Sequence, residues 1–326
     1  MKYISKEILL NTVKISAAAI LATGIAIALE LNYALSTGAV AILTILPTKR
    51  ETVKTAAGRL LAFLSALGIA FGCYRALGFT FRGYAAFLLL YILVCQIVGW
   101  YSSMAINSVL MSHFLSVGTM TFSGVVNEAS IFLIGMGIGV IANMHLRKNT
   151  DYIEELKEDT DNQIKKILHH MSQRILNNEV SAYNEDSFRI LVESIDKAKY
   201  VAYTNYNNQL RVRDREDIEY IHMRERQCEI LYEMYKNIRQ IHTTPFTAGK
   251  ISAFLEEMSS AYHKENTGTA LMEQFRKMDK SMKGKPLPTD RAEFEDRARL
   301  FYLLRQIEEF IQVKVDFLKQ ETMSLR

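Results

Sequence analysis

Apolar residues fall in long blocks through the first 146 positions and in helical steps of three and four after them. A helix needs about 20 apolar residues to cross roughly 30 Å of hydrocarbon. Segments of that kind are expected at 8–29, 31–47, 55–74, 83–100, 103–122 and 127–146. Gly83 to Asn127 carries no ionisable charge except on His113, and the break within it is placed at Trp100, Tyr101, Ser102 and Ser103, where an interfacial aromatic pair meets a polar turn. Small residues recur at four-residue spacing (Gly24 and Ala28; Gly58, Ala62 and Ala66; Gly68 and Gly72; Gly135, Gly139 and Asn143), a pattern that lets helix backbones approach closely.

Past Leu146 the pattern turns amphipathic. Ile153, Leu156, Thr160, Ile164, Ile167, Met171 and Ile175 predict one long helix running on from the last apolar segment. Further stripes are expected at Phe188, Leu191, Ile195 and Ala198, at Ile218, Ile221, Cys228, Leu231, Tyr235 and Ile238, at Ile251, Phe254, Leu255 and Met258, and at Phe294, Phe301, Leu304 and Ile311. Breaks are expected at 242–250, with Thr247 as a helix cap, and at 283–290, where a glycine and two prolines cannot continue a helix. No sequence repeat or strand-like alternation stands against this. The expected fold is all-α: a six-span transmembrane domain over 1–146 and a cytoplasmic helical bundle over 147–326.

Composition agrees with that division. Residues 1–146 hold 13 of the 16 glycines and 13 charged residues, nine basic and four acidic, whereas the rest holds 30 basic and 31 acidic residues. The net charge of +4 therefore belongs to the apolar half, and the near-neutral polar half lacks the basic face of a nucleic-acid binder. Cys73, Cys95 and Cys228 are odd in number and far apart, which suggests neither a disulfide framework nor a zinc site. The first apolar run is too long for a signal peptide and is expected to stay as a membrane helix.

Lys/Arg bias orients the spans. Lys2, Lys6, Lys14, Lys49, Arg50, Lys54, Arg59, Arg147 and Lys148 fall on one side, against Arg75 and Arg82 on the other, which places both termini in the cytoplasm of a multi-pass cell-membrane protein.

Candidate chemistry is sparse. Glu219 and His222 have metal-ligand spacing on a helix, but a di-metal bundle needs a second such motif. His169 and His170 lack a nucleotide-binding partner segment and read as a solvated face, and no nucleotide-binding or hydrolase motif is present. No enzyme, metal or cofactor is expected. Polar groups in the apolar half carry more interest, because an ionisable side chain there is costly and is by default a functional candidate.

Lys14, with Asn11 before it, lies about two turns into the first span, and Arg59 about one turn into the third. If those spans are neighbours, the two cations sit at similar depth and can gather an anion; alternatively both snorkel to headgroups. In the fifth span Ser108, Ser112, Ser116, Thr119 and Ser123 follow one face with Asn107 and His113 beside it. That face either lines a wet path or satisfies itself on carbonyls one turn back. His113 is either a packed hydrogen-bonding group or a proton-coupling one. Asn127 and Glu128 are expected to cap the last span.

Six N-terminal spans, the loop LPTKRETVKTAAGRLLAFLSALG and a charged helical half opening HLRKNTDYIEEL resemble the bacterial aromatic acid exporter family, in its half-size form with a C-terminal helical domain. The wider superfamily includes fusaric acid resistance proteins and plant aluminium-activated malate transporters. The resemblance implies outward transport of organic carboxylates by a homodimer, and it extends to the basic loop and Arg59 of the AAGRLLA run. The expected function is thus an inner-membrane exporter or channel for small organic anions. Lys14, Arg59, Asn11, Asn107, Ser108, Ser112, His113 and Ser116 are its candidate path, and the lipid bilayer and a second copy of the chain are its partners. The rival expectation is a membrane-anchored scaffold or sensor whose helical half binds another protein.

Overall fold

The computed structural model describes residues 2–144, 150–177, 185–209, 214–242, 247–263, 266–282, 287, 288 and 290–324. Within them the chain is entirely helical, and it divides into two compact units, 1–148 with 207–212, and 149–206 with 213–326.

The first unit holds six helices: α1 (Lys2–Ala28), α2 (Leu35–Thr44), α3 (Lys49–Leu77), α4 (Phe81–Val98), α5 (Met104–Val117) and α6 (Phe122–Met144). Their ends follow local chemistry. Thr48, after Pro47, caps α3 by accepting from the Glu51 amide at 3.3 Å, and Thr80 caps α4 by accepting from the Gly83 amide at 3.4 Å. Gly78, Gly99 and Gly118, all at positive φ, end α3, α4 and α5, where a side chain would be strained. The expected break at 100–103 is present as a short 3-10 turn, Tyr101–Ser103.

Two of the six fall short of their expected length. Helices α1, α3, α4 and α6 are long and apolar enough to cross a membrane; α2, with ten residues, and α5, with fourteen, are shorter. At 1.5 Å per residue α2 rises only about 15 Å. It ends where Ile45 turns extended ahead of Pro47. Helix α6 begins at Phe122, five residues before the expected start, because the Gly118–Thr121 turn closes early.

Small residues seat α2 between α1 and α6. A Cβ on Gly135 would fall 2.6 Å from the Thr37 carbonyl oxygen, one on Gly139 2.7 Å from Thr44 Cβ, and one on Gly38 against Thr23 Oγ1. Gly24, Gly68 and Gly72 instead have nothing near them. Side-chain contacts show that the helices alternate in direction. Lys14, Thr44, Thr48, Gly58, Trp100 and Asn143 gather at one end, and Tyr33, Ser36, His113 and Glu128 at the other.

The second unit contains α7 (Thr150–Leu176), α8 (Glu185–Asn207), α9 (Glu216–Arg239), α10 (Ala248–Ala261), α11 (Thr269–Met282) and α12 (Arg291–Ser324) around one core. All the predicted stripe residues of α7, α8, α9 and α10 are buried. On α12 Leu304 and Ile311 are buried, but Phe294 and Phe301 are exposed; the core is made instead by Leu300, Leu303, Ile307 and Phe310, one residue out of the expected phase. Thr247 precedes α10 without a side-chain cap, because its own backbone is already helical. The continuation from α6 into α7, with Leu146, Arg147 and Lys148, lies outside the described residues, as do 243–246 and most of the 283–290 break.

In the core of this unit Arg224, fully buried, meets Asp161 through Nε at 2.8 Å and Nη2 at 3.0 Å. It also donates to the Tyr262 hydroxyl at 2.6 Å and to Gln227 Oε1 at 2.7 Å. Lys314 is 5% exposed and donates from Nζ to the His263 carbonyl at 2.6 Å. Burial, then the Arg224 charge, push its amine down to about 7, against a smaller upward pull from Asp161.

Candidate functional site

The predicted site residues separate into two ends and a middle. At the first end, Lys14 is half-buried and its Nζ donates to Asn143 Oδ1 at 3.1 Å. Asn143 is fully buried and donates in turn to Thr52 Oγ1 at 2.6 Å, to the Leu46 carbonyl at 2.9 Å and to the Thr48 carbonyl at 3.3 Å. Arg59, 2% exposed, donates through Nη1 to Thr44 Oγ1 at 3.0 Å and through Nη2 to the Leu43 carbonyl at 2.6 Å. These are the free carbonyls and last hydroxyl of α2, and a cation there complements the helix dipole. Its Nε is buried without a partner. Lys14 and Arg59 thus meet through α2 and Asn143 rather than through direct α1–α3 packing. Asn11 is exposed on α1.

The middle is formed by α5 and the tyrosines that hold it. Tyr74, Tyr84 and Tyr91 donate to the carbonyls of Met111, Ser108 and Ser103 at 2.9, 3.1 and 3.3 Å. Asn107, fully buried, donates to the Tyr91 hydroxyl at 2.6 Å, while its Oδ1 has no partner. Ser112 Oγ donates to the Val109 carbonyl at 2.6 Å and Ser116 Oγ to the Ser112 carbonyl at 3.3 Å, so these two hydroxyls turn back on their own helix.

At the opposite end a cleft of about 380 Å³ opens between the α1–α2 connection, α5 and α6. His113 and Glu128 form its floor, 8% and 2% exposed. His113 Nδ1 lies 2.9 Å from Glu128 Oε2, its Nε2 lies 3.3 Å from Ser36 Oγ, and its ring stacks on Tyr33 with centroids 4.0 Å apart. Glu128 Oε1 accepts from Asn127 Nδ2 at 3.2 Å. Asn127 also latches Asn32, accepting from its amide at 2.9 Å and donating to its carbonyl at 3.1 Å. Glu30 and Tyr33 bend the α1–α2 connection at φ 53° and 60°, left-handed conformations uncommon outside glycine, and both line the cleft. Among the described residues no Lys or Arg lines it. Thr119 and Ser123 of the predicted polar face also line it, whereas Lys14 and Arg59 belong to the other end.

Neither Asn127 nor Glu128 caps α6. The helix starts at Phe122, and Glu128 stands nearly two turns inside it, on the face that meets α5. Asn143, Thr52, Ser36 and Tyr33 were not singled out by sequence as site residues. Asn143, the only amide in the last turns of an apolar helix, is the one with a readable signal. Of the other sequence candidates, His222 is held by the Tyr203 hydroxyl at 3.1 Å and by Glu225 at 3.1 Å. His169 is held by Glu256 at 2.7 Å.

Residues 6–146 match the domain described as aromatic acid exporter family member 1, and residues 150–315 match the aromatic acid exporter C-terminal domain. The uncharacterised protein YqjA of Bacillus subtilis (strain 168) is 24% identical over 94% of this chain and 95% of its own length. A crystal structure of a Clostridium difficile 630 membrane protein is 29% identical, covering 51% of this chain and 99% of its own, with a TM-score of 0.46. With the two domain matches accounting for both halves in order, this apolar, helical membrane protein belongs to the aromatic acid exporter family, and its broad role is transport.

Proposed function

We propose that the chain exports small organic anions, aromatic carboxylates foremost, across the cell membrane, with both termini in the cytoplasm and two copies forming the working unit. Membership in the exporter family over both halves carries this reading. The alternation of α1 to α6 supports six crossings, the short α2 and α5 included, because it returns the chain to the end from which it started. That end holds Lys14, Lys49, Arg50, Lys54 and Arg59, while Arg75 and Arg82 lie towards the other, the distribution expected of a cytoplasmic face.

Lys14 and Arg59 present positive charge where an anion would enter, and Lys14, half-buried with Asn143 as its partner, is the cation best placed to exchange a protein contact for a carboxylate oxygen. Arg59 orders the C-terminal end of α2 beneath it. Fixed cations at one end and an exit cleft lined by no Lys or Arg at the other give a carboxylate somewhere to gather and little to hold it on leaving.

The test is efflux of labelled 4-hydroxybenzoate from proteoliposomes holding the purified full-length protein. Efflux above protein-free vesicles, reduced in Lys14→Ala, supports the reading. An absence of flux for hydroxybenzoate and malate alike refutes it in favour of a scaffold.

A further inference from the structure

We infer that the His113–Glu128 pair is a proton-binding site, loaded from the cleft at the end opposite the basic one, and that its proton and a departing anion support each other's binding there. The clause about the anion rests on the transport reading above; the proton site does not.

The geometry points to it in three ways. First, the pair lies inside a largely apolar bundle, where a carboxylate is retained only at a cost that calls for a use. Second, it is reachable: the cleft of about 380 Å³ ends on it, so water can deliver a proton. Third, it is held on every side at a defined orientation. Tyr33 stacks on the imidazole, Ser36 faces Nε2 and Asn127 donates to the second carboxylate oxygen.

The proton count is simple. In the basic form a neutral imidazole donates from Nδ1 to Glu128 Oε2 while Nε2 accepts from the Ser36 hydroxyl, and the pair carries one negative charge. One proton from the cleft adds at Nε2; the Ser36 hydroxyl rotates from donor to acceptor, and the pair becomes neutral overall. Nothing is oxidised: an N–H bond forms at Nε2 as an O–H bond of the hydronium in the cleft breaks. A carboxylate arriving in the cleft brings a further negative charge beside Glu128, so anion and proton favour each other's binding. Loss of the anion to the outside removes that mutual support.

Among the described residues, the groups around the pair are Glu30 beyond the end of α1, Tyr33 before α2, Ser36 on α2 and Asn127 on α6. Tyr74 of α3 and Tyr84 of α4 give their hydroxyls to carbonyls of α5. Arg75 and Arg82 are exposed and are not among the cleft residues. Within the described lining of the cleft, Glu30 is the other charged group.

Infrared difference spectra of the full-length protein between about pH 5 and pH 8 read the site without any substrate. The expected result is an imidazolium or carboxyl band in the parent that is lost in both His113→Gln and Glu128→Gln. A difference spectrum unchanged in both variants overturns the proton site. Should either variant fail to fold, Ser36→Ala, which keeps the pair and removes the Nε2 partner, is expected to shift the titration midpoint of the same band; an unmoved midpoint counts against the site.

With a pH dye in lightly buffered solution, sodium 4-hydroxybenzoate added at matched pH to the purified full-length protein is expected to draw protons from solution in the parent and not in Glu128→Gln. A parent protein that exports hydroxybenzoate from proteoliposomes yet takes up no proton on binding it overturns the clause about the anion and leaves the exporter intact. An absence of hydroxybenzoate flux removes the exporter and that clause together, and the infrared result then decides the proton site alone.

Discussion

Replacing Lys314 with Met should make the second unit more stable, although it deletes a hydrogen bond. The amine is 5% exposed and lies near Arg224, with the Asp161 carboxylate opposing the two cations. Burial, with the Arg224 charge behind it, brings its protonation down from 10.5 to about 7. At about 1.4 kcal/mol per unit, that displacement costs the folded state on the order of 5 kcal/mol at neutral pH. The direction in pH follows. Between about 7 and 10.5 the unfolded chain holds a proton on Lys314 that the folded chain lacks, so stability rises with pH through that window and is flat below it.

Met keeps the stem's volume and removes the charge, but leaves the His263 carbonyl without its donor, a loss of about 1 kcal/mol. The net expectation is a gain of about 3–4 kcal/mol at pH 7 that shrinks towards zero near pH 10. Cys228 provides the assay. It is buried in this unit with its thiol pushed up to about 11 by burial, so a thiol reagent reaches it through opening of the bundle. With Cys73 and Cys95 replaced by Ala, Cys228 labelling of the full-length protein, compared between parent and Lys314→Met at each pH, yields the opening free energy. A variant that opens more readily at pH 7, or a difference equal at pH 7 and pH 10, refutes the reasoning.

Other substitutions probe the remaining contacts. Asp161→Asn leaves the Arg224 guanidinium buried without its counter-charge and should cost about 3–5 kcal/mol in the same labelling assay. Gly139→Ala puts a methyl 2.7–2.9 Å from Thr44 and the Ala41 carbonyl and should lower stability by about 1–3 kcal/mol, whereas Gly72→Ala meets open space and should leave the melting temperature in detergent within error. Asn143→Leu removes the partner of Lys14 and takes the side-chain donor from the Leu46 carbonyl; a loss of roughly 1–3 kcal/mol in thermal unfolding is expected, and an unchanged melting temperature would show that this junction is not what fixes α2.

Much of the architecture could be read from periodicity, because a helix in either setting must repeat its apolar face. The stripes of α7 to α10 followed directly from steps of three and four, and the Trp100–Ser103 break from an aromatic pair beside serines. The α12 stripe was misplaced because Phe294 and Phe301 keep the same spacing as the true face one residue away, and spacing alone cannot choose between two apolar rows on a long helix. The length of α2 was hidden for a related reason. Ile45 and Leu46 extend the apolar run, and only Pro47 and the anchoring by Arg59 and Asn143 reveal that the helix has already stopped.

The end sites were half legible. A buried ion was to be expected somewhere in the apolar half, but a carboxylate near a helix start suggested capping, and the partnership with His113 depends on how α5 packs against α6. Pairings such as Lys14 with Asn143, 129 positions apart, are properties of the tertiary arrangement alone.

The brevity of α2 bears on the voltage felt by a passing ion. If α2 is one of the six crossings proposed above, a hydrocarbon layer of roughly 30 Å is not matched by its rise of about 15 Å, and lipid would thin or water enter around its ends. Polar groups stand at both: Arg59, Thr44 and Asn143 at one, Ser36 and His113 at the other. The dry stretch would then be cut to about half, and the electrical drop of the resting cell, about 2.3 kcal/mol per charge for each 100 mV, would be focused onto it. A departing carboxylate would then gain most of that push in one short step past α2.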